Sequence, residues 1–91
     1  MSYENVNLKE ATIIDVRTPE EFGMGCVEGS TNIPLDQVPL KIEEFKNMER
    51  PLVLCCASGN RSGQALQFLE ANGVEDIYNG GGWNMVVERM M

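Results

Sequence analysis

An α/β fold, with a parallel β-sheet flanked by helices on both faces, is what the sequence predicts. Three observations carry it. The runs "ATIIDV" (11–16) and "PLVLCC" (51–56) are short and apolar at nearly every position, as strands covered on both faces are. Each is followed by a segment with helix-start signals or helical spacing, so strand and helix alternate. Asp15, Arg17, Cys55 and Cys56 gather at the ends of these runs, where open α/β sheets bind ligands. A length of 91 residues leads to the expectation of a single domain over residues 1–91.

The elements follow in order. "ATIIDV" is β-branched and apolar, the first strand. "TPEEF" then starts a short helix: Thr18 is the N-cap, Pro19 takes the first helical position, and Glu21 stands where a capping box needs a carboxylate. Gly23, Gly25 and Gly29 end that helix in a loop. "STNIPL" (30–35) gives a short strand closed by Pro34. Leu35, Val38, Ile42, Phe45 and Met48 recur at helical spacing, and Pro39 divides them into a turn and a helix from Leu40 to about Met48. "PLVLCC" is the second buried strand, with Pro51 tolerated at its first position. "RSGQALQFLEANG" is a helix with Ala65, Leu66 and Leu69 as its apolar stripe and Gly73 just past its end. "EDIYN" is a last short strand. "GGGWNMVVERMM" begins as a turn and ends as a helix.

Composition removes several classes of function. Net charge is −7, and the seven Lys and Arg residues are scattered. A nucleic-acid or anionic-membrane surface needs them clustered. No stretch approaches the roughly 20 apolar residues of a membrane helix. "MSYENVNLKE" has neither the basic start nor the apolar core of a signal peptide. Three cysteines, two of them adjacent, form no disulfide framework and fit a reducing, cytoplasmic setting. Histidine is absent. No Ser-His-Asp or Cys-His pair is therefore possible, and a nucleophile must be activated by other groups.

"VLCCASGNRSG" (53–63) is the chemically pointed stretch. Read from Cys55 it is C-x5-R-S, and read from Cys56 it is C-x4-R-S. Ala57, Ser58, Gly59 and Asn60 are small, and Gly59 can take positive φ. Such a turn can aim backbone N–H groups inward as an anion-binding nest. The helix after it adds free N–H groups and a positive dipole end. Gly63 removes a side chain where that helix meets the sheet. A thiol at the start of this loop has the nest, the dipole and Arg61 as its activators.

These residues resemble a known family. "IIDVRTPEEF", "GxVxGSxNIPL", "VLCCASGNRSGQALQFLEANG" and "IYNGGGW" occur in the order found in single-domain rhodaneses, which are sulfurtransferases, and span about Ala11 to Trp83. The resemblance implies a rhodanese-like parallel sheet between helices. It implies a cysteine that takes a sulfane sulfur from thiosulfate or a related donor as a persulfide and passes it to cyanide or a thiol. The family's C-x-x-G-x-R-S loop falls on Cys56, Gly59, Arg61 and Ser62. Cys56 is thus the expected catalytic residue, with Ala57, Ser58, Gly59, Asn60, Arg61 and Ser62 as the substrate-binding loop. No metal and no cofactor is expected. The implied partners are a small sulfur donor and a thiol or cyanide acceptor, with a sulfur-relay protein as a further candidate, and the expected state is a monomer. Cys26 stands where the family commonly has histidine, Trp83 comes early, and the short start predicts a reduced or missing first strand and helix.

Two rival readings stand beside it. A phosphatase or arsenate reductase on the same scaffold would use Cys55 and the longer register. A binding module would carry sulfur only between proteins. Strand continuity puts Cys55 in the core. Cys26 is structural or a second redox thiol. Arg61 closes the loop and attracts anions, while Ser58, Asn60 and Ser62 can donate either to a substrate or to the loop. Asp15 and Arg17 support the fold, with Glu21 as a partner for Arg17. Met24 and Trp83 line the pocket mouth or simply pack.

Overall fold

Alternation along one buried strand organises the molecule. In a computed structural model, which describes residues 3–91, Leu52–Cys56 is fully buried along its length. Its side chains point alternately to opposite faces. Leu52, Leu54 and Cys56 join one core layer, with Ile14, Val16, Phe45, Ala65 and Leu69. Val53 and Cys55 join the other, with Leu8, Ile13, Val27 and Val86. This strand is β3; β1 is Thr12–Asp15, β2 is Thr31–Asn32 and β4 is Ile77–Gly82. All pair in parallel in the order β2-β1-β3-β4.

The helices cover both faces, as expected. α1 (Pro19–Gly23) carries the capping box: the Glu21 N–H donates to Thr18 Oγ1, and the Thr18 N–H donates to a Glu21 carboxylate oxygen. α2 (Ile42–Asn47) and α3 (Asn60–Ala71) pack their apolar residues into the first layer, and α4 (Trp83–Met90) packs Val86 into the second. Gly73 (φ +88°) ends α3 in a Schellman motif, with its N–H donating to the Glu70 carbonyl and that of Val74 to the Leu69 carbonyl. Among the described residues no helix is long and apolar enough to cross a membrane.

Three boundaries differ from expectation. β2 is only two residues long, although Ile33 and Leu35 still donate to the Asp15 and Val16 carbonyls. The expected helix from Leu40 begins at Ile42, because Leu35–Lys41 forms a 3-10 helix containing Pro39. β4 runs on through all three glycines rather than turning at Asn79. It does so with one extra residue: Leu54 pairs with Asn79 but Cys55 with Gly81, leaving Gly80 as a bulge. A Cβ on Gly80 would lie 2.8 Å from Val53 Cγ1 and 3.1 Å from the Leu54 carbonyl oxygen. The strand passes there only because no side chain is present. Before β1 there is no strand among the described residues, only a short 3-10 turn at Tyr3–Asn5.

Candidate active site

β3 ends at Cys56, and α3 starts four residues later. Gly59 takes φ +100° to make so short a connection, a conformation glycine adopts without steric cost. The chain is also pressed against β4 there, since a Cβ on Gly59 would come within 3.2 Å of Gly81 Cα. The result is a closed cradle around one sulfur. The Gly59 N–H donates to Cys56 Sγ at 3.0 Å and the Ser62 N–H at 3.4 Å, and Ser62 Oγ lies 3.4 Å from the same atom.

The cradle changes the thiol. Burial acts first and pushes its pKa up. The Ser62 hydroxyl and the backbone N–H groups of Ser62, Ser58 and Gly59 act in the other direction and prevail, so the Cys56 thiol is held below its ordinary value. One residue earlier only the Arg17 charge works against burial, and it does not prevail. Burial first, and the Asp15 charge next, push the Cys55 thiol up to about 12.

The loop residues divide by what they touch. Gly59 and Ser62 reach the sulfur. Arg61 turns away from it: its Nη1 and Nη2 donate to the two Glu21 carboxylate oxygens at 2.7 and 2.9 Å. That pairing raises the Arg61 pKa and, with the Thr18 N–H, lowers that of Glu21 to about 2. The Asn60 side chain accepts from Gln64 Nε2 on the outer face of α3, and Ala57 and Ser58 are exposed. Arg61 also lines a groove with Val16, Thr18, Pro34, Leu35 and Asp36.

The expected Arg17–Glu21 pair is corrected: Arg17 pairs with Asp15 instead. Its Nε and Nη2 donate to the buried carboxylate at 2.9 and 2.7 Å, Nη2 also donates to the Gly25 carbonyl, and its backbone N–H closes on Asp15 Oδ1. The guanidinium lies 4.8 Å from the centroid of the Trp83 ring. Trp83 therefore packs, against Arg17 and the second layer, while Met24 is almost fully exposed. Cys26 is half-buried and free.

One residue of the site lay outside the sequence reading. Asn79, on β4, accepts from the Ser62 hydroxyl at 2.7 Å and donates to the Gly59 carbonyl at 3.1 Å. Its only sequence signal is a polar residue in an otherwise apolar or glycine strand.

A family model for the rhodanese-like domain matches residues 3–88. The chain belongs to this family. Thiosulfate sulfurtransferase PspE of Escherichia coli is 37% identical to this rhodanese-like chain over 70 residues, 76% of the chain and 67% of PspE. YqhL of Bacillus subtilis, an uncharacterized protein, is 42% identical over 71 residues, 78% of the chain. The chain spans 56% of the length of YqhL. Among solved structures, a rhodanese with anions from E. coli superimposes with a TM-score of 0.75 at 33% identity, covering 82% of this chain and 89% of that one. A rhodanese-related protein from Thermoplasma volcanium does so at 0.71 and 36%, covering 96% and 84%.

Proposed function

We propose that this rhodanese-like chain is a sulfurtransferase that carries a sulfane sulfur as a persulfide on Cys56. A general sulfurtransferase role is supported by relatives bearing that name, such as PspE and a sulfurtransferase of Allochromatium vinosum. The observation that carries the assignment to Cys56 is the donor set converging on its sulfur: two backbone N–H groups and one hydroxyl within 3.4 Å. Donors of this kind stabilise an anionic sulfur without histidine.

The reaction is a double displacement. The Cys56 thiolate attacks the outer sulfur of thiosulfate or a related donor. A new S–S bond forms, the donor's sulfur–sulfur bond breaks, and sulfite leaves with the electron pair. Cyanide or a thiolate then attacks the outer sulfur of the persulfide, and Cys56 leaves as a thiolate. Cys56 is only 1% exposed, which favours a slim terminal sulfur over a bulky group. Arg61, held by Glu21, fixes the loop. Asn60 and Ser58, at the surface, are left to contact the rest of the donor.

Nothing favours the phosphatase register, because Cys55 faces the layer under α4 with its thiol at about 12. The deciding experiment is intact-mass measurement after thiosulfate treatment. One added sulfur atom is expected on the parent chain and on Cys55→Ala, none on Cys56→Ala, and cyanide should remove it. Loading that persists in Cys56→Ala defeats the assignment. So does aryl-phosphate hydrolysis lost only in Cys55→Ala.

A further inference from the structure

A single proton is shared at the floor of the cradle. Ser62 Oγ lies between two acceptors, Cys56 Sγ at 3.4 Å and Asn79 Oδ1 at 2.7 Å. A hydroxyl has one hydrogen and two lone pairs. While Asn79 takes the hydrogen, Ser62 can only accept from the Cys56 S–H. The neutral thiol is then the donor at one end of a chain that runs from sulfur to hydroxyl to amide oxygen. When the thiol ionises, its proton goes to solvent. The Ser62 hydroxyl must then rotate to donate to the sulfur anion. Asn79 Oδ1 is not left bare, because the Gly81 N–H donates to it at 3.0 Å.

We propose that Asn79 is a positioning residue for Cys56, which holds the Ser62 proton while the sulfur is neutral and yields it when the sulfur is anionic. Its placement is built in. Gly63 leaves room for it, since a Cβ there would meet Asn79 Nδ2 at 3.3 Å. Its Nδ2 also holds the Gly59 carbonyl, in the residue whose N–H faces the sulfur. That carbonyl keeps a second donor, the Gly63 N–H at 2.9 Å. Loss of Asn79 therefore frees the hydroxyl without releasing the loop. The charged groups nearby are already matched: Arg61 with Glu21 from α1, and Asp15 with Arg17 past the end of β1. Cys55 faces the other layer, and Tyr78, the titratable residue within β4, donates to Asp76.

The inference rests on Cys56 being the working sulfur, and its test separates the two. The rate of Cys56 alkylation by iodoacetamide is followed against pH, which reads the thiol whether or not it transfers sulfur. Asn79→Leu removes the competing acceptor, so at pH values below the thiol pKa the rate should rise about three- to tenfold, the span of one neutral hydrogen bond. In a Ser62→Ala background the same substitution should change the rate by less than about twofold, because the coupling runs through that hydroxyl. Equal changes in both backgrounds, or a fall in the Ser62 background, overturn the inference. Where Asn79→Leu fails to fold, Asn79→Asp serves. A carboxylate grips the hydroxyl more strongly, so the rate should fall, and fall further with Ser62 present than absent. An equal fall overturns the inference. Thiosulfate loading, measured alongside on the parent chain, reports on Cys56 as sulfur carrier independently.

Discussion

The layer under α3 and the layer under α4 each receive one cysteine from β3, and they treat it in opposite ways. Cys55 enters a layer of Leu8, Ile13, Val27, Val53 and Val86. Cys56 enters a layer just as buried, but at its edge, where the chain turns back over the sulfur. Burial is the largest influence on both thiols and raises both. What separates them is the set of donors around Cys56, available on one face only. Chemistry here depends less on which residue type is present than on the phase of a two-residue repeat.

The strongest way to break this comparison is to label both thiols. Burial pushes the Cys55 thiol up to about 12 while the cradle holds Cys56 below its ordinary value, so at neutral pH Cys56 carries by far the larger thiolate fraction. Peptide mapping after brief alkylation should find label on Cys56 and essentially none on Cys55. The Cys56 rate should be level above its depressed pKa and fall about tenfold per pH unit below it. An apparent pKa at or above the ordinary thiol value would contradict the cradle. Gly59→Ala is the next largest test. It strains a positive-φ position, at a cost of about 1–3 kcal/mol, and shifts the N–H that faces the sulfur. Thermal melting should show the loss, and the Cys56 alkylation profile should move to higher pH. The smallest effect concerns Glu21. Its folded-state carboxyl sits near 2 against an ordinary 4.5, so its pairing with Arg61 supports the fold above pH 4.5 and lets go as pH drops toward 2. Glu21→Gln should lower the melting temperature slightly at pH 7. The gap to the parent should close between pH 4.5 and 2, and a gap constant across that range would rule out the pairing as its source.

Much of this was legible because it is local. The capping box at Thr18 and Glu21, the Gly73 helix end and the buried character of "PLVLCC" each depend on neighbours a few residues apart. The loop from Cys56 to Ser62 is likewise one continuous stretch. What escaped depends on distant backbone. The sequence offers Glu21 as a candidate partner for Arg17, but the strand end folds the arginine back on Asp15 and leaves Glu21 to Arg61, forty residues away. Asn79 sits seventeen residues from Ser62 and meets it only through β3–β4 pairing. The glycine run was expected as a turn, since nothing in its composition reveals the close approach of Val53 and Ala57.

Three consecutive glycines invite the description of a hinge, yet Gly80–Gly82 is among the least forgiving stretches of the chain. A Cβ at Gly80 or Gly82 would collide at 2.8 Å, with Val53 or with the Asn84 side chain, and Gly81 takes φ +83°. In a library randomised over these positions, survivors should be overwhelmingly glycine. Nearly bare positions such as Met24 and Leu40 should accept most residues. Conservation among relatives is therefore expected to trace crowding at this run and openness at those two sites. On the proposed reading, an engineer seeking a new sulfur donor should leave the glycines alone and diversify Ser58 and Asn60.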